Sequence, residues 1–511
     1  MGGRRSMDQA IHVCIVGAGI SGLRAADILS RQGFKVTILE ARDRIGGRIS
    51  QSAELGPVVD LGPNWIHGTT GNPIVRLAHD ANAVTSACNV VSSIFGPSGK
   101  VMPQANAKAL YEEVWRILDM LCEQSRTELY SIPASERMMD RFRTRVTDGD
   151  YDIDTQHQLL DIVEMWGAFM GGDCESQSMR FYWMDEGIEG DNLFMASTYQ
   201  KIVERLGQAT LQRCNLRLSE EVTCVRTPAA SDKIIVQTAG GEIEFDAVIF
   251  TTPLGWLKRN QQTFYPSLSP RLGQAIENIG YGNLDKVFVS FSSAFWMGGP
   301  RRNDEEHHVV PIETLFLKPE YAPSTNPHRW RQEMVSLASL PEGYAHPTIM
   351  FYVYGEWGRQ VTARVRSLRQ DSVEYYRTLQ ELFEPYYSKL PNFDQSSADC
   401  LPKRFLSTDW QDDEFAGYGS YCNFPVGLEN GAEAIEVLRQ GMPERGIWFA
   451  GEHTAPFEGL GTVTGAYWSG ERVAEQICER YGCSENKKAV ARSCKRDKPL
   501  PAQPSELESA T

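Results

Sequence analysis

Long apolar runs and paired cysteines are both lacking in this sequence of 511 residues. No stretch of about 18 consecutive apolar residues occurs, so no membrane-spanning helix is predicted. The eleven cysteines include no CxxC pair and no regular ladder of spacings, which favours free thiols over a disulfide framework or a metal site. The first residues, MGGRRSMDQA, contain no apolar signal region, and the last three are not Ser-Lys-Leu. The cytoplasm is therefore the expected location.

An excess of positive charge is also lacking, because 66 acidic residues outnumber 51 basic ones and give a formal net charge of −15. This balance disfavours a nucleic-acid surface and suits a cationic small molecule, although most such charge is solvated surface. No internal repeat of about 20 to 50 residues is visible, which argues against a solenoid. The length and the globular composition predict two or three domains.

What the sequence does contain is a glycine-rich turn between an apolar run and an amphipathic run. Residues 11–16 predict a buried strand, residues 21–31 a helix, and residues 35–39 a second strand. The turn between the first strand and the helix reads GAGISG, from Gly17 to Gly22. The order of strand, glycine turn, helix and strand is typical of a dinucleotide-binding βαβ unit.

Residues of this segment have distinct physical tasks in such a unit. Gly17 permits the tight turn, Gly19 lets the backbone approach a pyrophosphate, and Gly22 lets the helix pack closely on the strand. The helix begins near Ser21, where free N–H groups can bind the diphosphate. Glu40 follows about 20 residues on, where its carboxylate can accept hydrogen bonds from a ribose 2′-hydroxyl.

A second glycine-rich segment, RDRIGGR at 42–48, follows directly. The adjacent Gly46 and Gly47 allow close backbone approach, and Arg48 offers a planar fork to phosphate. This segment resembles the second phosphate-contacting segment of FAD-dependent oxidases, which favours a resident flavin over diffusible NAD.

The rest of the chain alternates helical and strand patterns. Helices are predicted over residues 107–123, 198–211, 372–382 and 464–481. Strands are predicted over residues 216–218, 222–226, 234–238, 243–245, 247–251, 282–295, 348–354 and 447–452. The polar, proline-containing residues 297–327 predict a loop, and the charged residues beyond 482 predict a flexible tail.

Six segments in the correct order resemble the flavin-containing amine oxidases, within their polyamine oxidase branch. They are GAGISGL with EARDRIGGR, DLGPNWIHG, TTPLGWLK, GNLDKVFVSF, the segment GYGSYCNFPVG that follows Trp410, and AGEHTAPFEGLGTVTGAYWSGERVAEQI. The resemblance extends over most of residues 11–480. It implies oxidation of an amine to an imine with FAD, with O2 as the final acceptor.

The resemblance also implies an α/β fold with a Rossmann-like FAD-binding domain of several non-contiguous segments plus an inserted α+β substrate-binding domain. The expected FAD-binding domain comprises residues 8–75, 205–270 and 400–485. The expected substrate-binding domain comprises residues 76–204 and 271–399, and the flexible tail comprises residues 486–511.

The family pattern implies a set of FAD contacts, here called the predicted cofactor set. Its members are Gly17, Gly19, Ser21, Glu40, Arg42, Gly47, Arg48, Gly62, Pro63, Asn64, Trp65, Val222, Trp410, Glu452, Thr462 and Val463. Monoamine oxidases bind flavin covalently through a cysteine whose position corresponds here to Gly419. Noncovalent FAD is therefore expected, although Cys422 lies three residues away.

Lys286 and His67 are the catalytic candidates that the resemblance implies. Without it, Lys286 would be a solvated residue at a strand edge and His67 a packed loop residue. A lysine at this place in the family commonly holds a water against flavin N5, and burial there would lower its pKa. The histidine of WIHG resembles that of enzymes oxidising spermine or acetylated polyamines. It could hydrogen-bond a substrate nitrogen near neutral pH.

Substrate contacts are expected from His67, Tyr421, Thr462, Asp173 and Glu175. Tyr421 matches one wall of the two-tyrosine cage of monoamine oxidases, and the other wall falls near Thr462, which suits a slender aliphatic chain. Carboxylates must hold the distal ammonium groups of a polyamine, because an unpaired charge in a closed tunnel is costly. Two acidic clusters are candidates. They are Asp173 with Glu175, and Asp185, Glu186, Glu189 and Asp191.

The sequence thus predicts an FAD-dependent polyamine oxidase whose partners are a cationic amine and O2, with no metal. Three alternatives stay open. An L-amino acid or other amine oxidase should place an arginine in the pocket for a substrate carboxylate. A histone-demethylase-like enzyme is disfavoured by the lack of an added helical domain and a long coiled-coil insertion. A flavin-binding protein without turnover would have no need of Lys286.

Overall fold

The computed structural model describes residues 10–87, 93–185, 187–229, 231–298 and 312–482. Glu186 and the predicted tail, residues 486–511, lie outside these ranges. Within them, no helix combines the length and the apolar character needed to cross a membrane. The same residues contain no group of side chains suited to a metal ion, and their cysteines are free thiols.

The strands are short and numerous. In chain order they are His12–Val16 (β1), Lys35–Leu39 (β2), Gln51–Ser52 (β3), Val59–Asp60 (β4), Trp65–Ile66 (β5), Thr85–Ala87 (β6), Ser93–Phe95 (β7), Leu193–Met195 (β8), Asn215–Arg217 (β9), Val222–Arg226 (β10), Ile234–Thr238 (β11), Gly241–Phe245 (β12), Ala247–Phe250 (β13), Phe264–Tyr265 (β14), Gly280–Tyr281 (β15), Leu284–Ser290 (β16), Glu313–Phe316 (β17), Gln332–Ser336 (β18), Thr348–Tyr354 (β19), Arg404–Ser407 (β20), Cys422–Asn423 (β21) and Ile447–Phe449 (β22).

The helices vary widely in length. In chain order they are Ile20–Arg31 (α1), Pro73–Asp80 (α2), Gln104–Thr127 (α3), Met138–Thr147 (α4), Ile153–Ile162 (α5), Trp166–Met170 (α6), Gln200–Leu211 (α7), Leu254–Arg259 (α8), Pro270–Asn278 (α9), Gly355–Val365 (α10), Val373–Tyr387 (α11), Gly431–Gln440 (α12) and Val463–Tyr481 (α13).

One sheet joins the beginning, the middle and the end of the chain. It is parallel and five-stranded, in the order β22-β13-β1-β2-β9. The apolar residues of its central strands are buried, and α1 packs against α7 and α13 on its face. A parallel sheet needs helices on its faces because its strands are apolar on both sides. This arrangement confirms the predicted α/β class with a Rossmann-like domain built from separated segments.

A second, six-stranded sheet has the order β20-β16-β19-β18-β17-β7. Adjacent strands in this sheet are antiparallel, except that β17 and β7 are parallel. Alternate residues such as Val287 and Phe351 pack into a core with α10 and α11. The opposite face carries Lys286, Tyr352 and Glu333 side by side, because Tyr352 pairs with Lys286 on β16 and with Glu333 on β18.

The predicted loop over residues 297–327 is wrong where β17 lies, because Glu313–Phe316 gains partners from β18 and β7, strands that are distant in sequence. The predicted strand over 282–295 ends at Ser290. The predicted helix over 372–382 continues to Tyr387 and includes Pro385. Local pattern does not contain these tertiary contacts, so the errors fall at element ends and in β17.

Candidate active site

A cavity of about 770 Å³ extends between the parallel sheet and the six-stranded sheet. Its volume is in the range of small-molecule and cofactor pockets. Every member of the predicted cofactor set lines it, as do Lys286, His67 and Tyr421. The folded chain therefore brings these residues together from segments far apart in sequence.

The glycine turn before α1 lies at one end of this cavity. Gly17 has a φ of 108°, a conformation that favours glycine. A Cβ atom on Gly22 would lie 2.2 Å from the Gly17 carbonyl oxygen, so helix and turn pack as closely as predicted. A Cβ atom on Gly19 would meet no protein atom within 4 Å, and Gly19 provides no side-chain cap to α1. The first N–H groups of α1 therefore face open space suited to a phosphate.

Glu40 and the second glycine segment close this turn. The Glu40 carboxylate accepts from the Ala18 N–H at 2.7 Å and from the Arg42 N–H at 2.9 Å. The Gly46 N–H donates to the Ala18 carbonyl at 2.9 Å, which places Gly47 beside Gly19. Each carboxylate oxygen of Glu40 retains lone pairs and the residue lines the cavity, which fits a ribose hydroxyl.

The arginines on the cavity wall are paired with carboxylates. Arg48 Nη1 donates to Glu452 Oε1 at 3.0 Å and also bonds the Ser420 carbonyl. Burial alone would raise the pKa of Glu452, but the Arg48 guanidinium, His453 and the hydrogen bonds with Cys422 and Arg48 together lower it. Arg42 Nη2 donates to both oxygens of Asp413. Both guanidinium groups are therefore held in place before any anion binds.

The N-terminus of α13 reaches the same cavity. The Thr462 hydroxyl caps the helix by accepting from the Gly465 N–H at 3.0 Å, and Thr462 and Val463 both line the cavity. The positive end of the helix dipole favours negative charge at this point.

Lys286 is buried on the wall, contrary to its ordinary interpretation as a solvated edge residue. Its ammonium donates to the Asp60 carbonyl at 3.1 Å, the Gly62 carbonyl and Asn64 Oδ1. Burial lowers the pKa of Lys286 to about 7, although the negative charge of Asp60 acts to raise it. Burial also raises the pKa of Asp60 to about 7, although the positive charge of Lys286 acts to lower it.

His67 is half-buried on the wall, with its ring 6.5 Å from that of Phe169. Burial lowers its pKa, although a hydrogen bond with Asn192 opposes the shift. The imidazole is therefore kept neutral and can accept a proton or a hydrogen bond at physiological pH. The Tyr421 hydroxyl donates to the Ala168 carbonyl, which fixes the tyrosine ring against the cavity.

Asp173 and Glu175 are not among the described residues that line the cavity, and their contact with substrate stays a prediction. Asp173 caps a short 3₁₀-helix, and Glu175 pairs with Arg143 and Arg137 at the surface. These local partners satisfy both carboxylates outside the site. In the second acidic cluster, Asp185 lines the cavity, whereas Glu189 and Asp191 are exposed.

Sequence reasoning missed the acidic pair of the six-stranded sheet. Glu333 on β18 and Glu313 on β17 lie diagonally on one face, hydrogen-bond each other and line the cavity. Burial raises the pKa of Glu333 to about 8, with Glu313 adding to the shift and Arg331 opposing it. Because β17 was predicted to be loop, the sequence offered no signal for this pair.

An aromatic lining was missed as well, although it has a signal. Tyr111, Trp115 and Asp119 lie four residues apart on α3 and all line the cavity, so they form one face of the helix. Trp166 and Phe169 stack with ring centroids 5.0 Å apart, and Trp115 meets Phe169 at 5.7 Å. This wall is apolar and aromatic with carboxylates beside it, which suits a cation carrying methylene groups.

Comparison with known proteins identifies the family. The model of the flavin-containing amine oxidoreductases matches residues 20–478. This chain belongs to that family. As a member, it uses FAD as its cofactor, and the open space at Gly19 with the Glu40 carboxylate fits that dinucleotide. A small amine and O2 are the substrates that the family implies.

Relatives of this amine oxidoreductase include proteins named polyamine oxidases and proteins named histone demethylases. Probable polyamine oxidase 4 of Arabidopsis thaliana is 27% identical over 487 residues, covering 92% of this chain and 87% of the relative. Lysine-specific histone demethylase 1 homolog 1 of the same plant is 28% identical over 486 residues. That match covers 91% of this chain but 52% of the demethylase, so the chain spans about half of that relative.

A solved structure agrees in fold. The cyclohexylamine oxidase from Brevibacterium oxydans IH-35A superposes with a TM-score of 0.68 at 18% identity, covering 93% of this chain and 100% of the other. At that identity the match supports the architecture and carries no information on the substrate.

Proposed function

We propose that this amine oxidoreductase is a polyamine oxidase. When bound, FAD supplies the redox chemistry: hydride from the amine α-carbon is accepted and its electrons pass to O2, giving an imine and hydrogen peroxide. The imine then hydrolyses to an aldehyde and a shorter amine. The observation that carries the proposal is the row of Lys286, Tyr352 and Glu333 across one sheet face, which joins the cofactor end of the cavity to an acidic end.

The acidic end is where we expect the distal ammonium of the substrate. Glu313 and Glu333 hydrogen-bond each other, and burial raises the pKa of Glu333, so this carboxyl group can hold a proton in the free enzyme and ionise when an ammonium group enters. A cation placed here would be paired, which removes the cost of burying it alone. Asp185 and Asp119 add further carboxyl groups along the wall.

The aromatic face of α3 and α6 would enclose the methylene chain. Trp115, Trp166 and Phe169 provide flat apolar surface, and their rings also attract ammonium groups. At the cofactor end, His67 would orient the reacting nitrogen. Its lowered pKa leaves a neutral ring, which can accept a hydrogen bond from an amine that must be unprotonated to react.

FAD is proposed to bind noncovalently. A Cβ atom on Gly419 would lie 2.5 Å from the Gly282 carbonyl, so this position has no room for a side chain. Cys422 does line the cavity, but burial raises the pKa of its thiol, with Glu452 acting in the same direction. A thiol that resists ionisation is a poor nucleophile for flavin attachment.

An amino acid is disfavoured as substrate. Of the described residues that line the cavity, the arginines are Arg42 and Arg48, and each already pairs with a carboxylate. They also lie at the end that we assign to FAD, because the Arg42 N–H donates to Glu40 and Arg48 follows Gly47, which lies beside Gly19. A methylated lysine side chain is an aliphatic amine and stays a second candidate, because a histone demethylase homologue is among the relatives.

A peroxide-coupled assay with a substrate panel tests the proposal. The panel comprises spermine, N1-acetylspermine, spermidine, an aryl amine, a methyl-lysine peptide and an L-amino acid. We expect the largest kcat/KM for a polyamine, and the aldehyde product identifies the C–N bond that is broken. Turnover of the peptide alone would favour the demethylase-like alternative, and FAD binding without any turnover would favour a non-catalytic flavoprotein.

A further inference from the structure

The Lys286 ammonium is bound by the end of β4 and the segment that follows it. Its acceptors are the carbonyls of Asp60 and Gly62 and the side-chain oxygen of Asn64. Two of these are backbone groups that any sequence would provide. Asn64 is the side chain among them, and it is 6% exposed.

Tyr352 holds Asn64 from the other side. Its hydroxyl donates to Asn64 Oδ1 at 3.3 Å and accepts from Trp65 Nε1 at 3.1 Å. The donor and acceptor capacities agree, because a hydroxyl can donate once and an amide oxygen can accept twice. Tyr352 lies opposite Lys286 in the sheet, with Lys286 Nζ 5.9 Å from the centre of its ring.

We propose that Asn64 and Tyr352 are positioning residues for Lys286. The Trp65 indole holds the Tyr352 hydroxyl, which donates to Asn64 Oδ1, and Asn64 Oδ1 then holds the ammonium at one point of the cavity wall. The chain of bonds from Trp65 through Tyr352 and Asn64 to Lys286 joins the wall of the cavity to the catalytic candidate. The inference rests on the proposed function only in placing Lys286 beside the flavin.

The electrostatic consequence has a defined sign. An oxygen that accepts from the ammonium stabilises its charged form and so raises the lysine pKa. The charged groups that act on Lys286 are Asp60 and Asp285, and neither is changed by substitutions at positions 64 and 352. Loss of the Asn64 oxygen should therefore lower the Lys286 pKa, and a carboxylate in its place should raise it.

The test is a pH titration of the visible flavin spectrum of the resting, FAD-loaded protein. The transition of the coupled Lys286–Asp60 pair is the one that Lys286→Met changes, and we expect it near pH 7 in the unmodified chain. Asn64→Ala should move it down by about one pH unit, and Asn64→Asp should move it up. Tyr352→Phe should move it down by less.

Tyr354→Phe is the matched control, because Tyr354 lies on the same strand but bonds Arg331 and the Glu164 carbonyl. It should leave the transition unchanged. The proposal is overturned if the two Asn64 variants shift it in the same direction, if Tyr352→Phe acts no differently from Tyr354→Phe, or if Lys286→Met changes no transition. The titration needs no amine, so an enzyme inactive on every polyamine could still support this inference.

Discussion

Lys286 is the residue on which the proposed chemistry depends most. Replacing it by methionine keeps much of the apolar volume and removes the group that can hold water or move a proton. We expect flavin reduction by amine or reoxidation by O2 to slow by about 100-fold or more. Anaerobic and aerobic stopped-flow measurements separate the two half-reactions. Lys403→Met, at an exposed position, is the control, and unchanged rates in Lys286→Met would remove the residue from the mechanism.

Glu333 is the residue that should distinguish a polyamine from a monoamine. Glu333→Gln keeps the shape but removes a carboxyl group that can ionise when an ammonium group enters. The KM for spermine should rise by roughly tenfold or more, since a charge-assisted hydrogen bond is lost. The KM for a monoamine of similar length should change little. Glu356→Gln, at the surface, is the control, and an equal rise for both amines would contradict the assignment.

His453 should contribute to acid sensitivity. Both of its ring nitrogens are buried without a hydrogen-bond partner, and burial lowers its pKa from 6.5 to about 4. Between these two pH values the unfolded chain binds a proton that the folded chain does not, so the free energy of unfolding falls as pH falls. His453→Gln should reduce that slope by about 1.4 kcal/mol per pH unit. Denaturant unfolding between pH 6.5 and 4 measures it, with the exposed His157→Gln as control.

Residue identity was predictable from sequence wherever a local motif demands one residue type. The turn glycines, Glu40 and Lys286 stand in such motifs, and the cavity brings them together. Asp173 and Glu175 were predicted as an acidic cluster, a feature that many protein surfaces share. Glu333 is also acidic, but its importance comes from neighbours on β17 and β19 that local sequence does not reveal.

At the scale of elements, the glycine turn and α1 make a prediction that separates binding from folding. Gly19→Ala adds a Cβ atom that meets no protein atom, so the stability of the FAD-free protein should change by less than about 0.5 kcal/mol. FAD affinity should nevertheless fall, because the methyl group projects into the space proposed for the diphosphate. Gly22→Ala should lower both, since its Cβ atom would meet the Gly17 carbonyl.

Thermal unfolding without FAD and a fluorescence titration with FAD measure the two effects. Equal loss of stability in both glycine variants would contradict the assignment of the open space at Gly19 to the cofactor. Normal FAD affinity in Gly19→Ala would contradict it as well.

Elements with strong local periodicity were predicted closely, whereas strands that depend on hydrogen bonds from distant strands were not. β1, α1 and β2 follow from an apolar run, a glycine turn and an amphipathic run. β17 is four residues long and exists because β18 and β7 provide its hydrogen bonds. The register that aligns Lys286 with Tyr352 depends on pairing β16 with β19, which no local pattern specifies.

At the scale of the whole molecule, the cavity explains why the chain passes several times between the parallel sheet and the six-stranded sheet. The domain of the parallel sheet provides strand ends and the N-termini of α1 and α13 for a dinucleotide. The six-stranded sheet provides a wall for the amine. The negative net charge of −15 agrees with a cationic substrate. Family membership was predictable from motif order, whereas the choice of amine depends on side chains that meet only in the folded chain.

The most direct measurement of the central claim is reduction of the bound flavin by an amine in the absence of O2. The FAD-loaded protein should lose its visible flavin absorbance on mixing with spermine or N1-acetylspermine, at a rate that saturates with concentration. Admission of O2 should restore the colour and release hydrogen peroxide. A flavin that dithionite bleaches but no polyamine reduces would contradict the proposal that this chain oxidises polyamines.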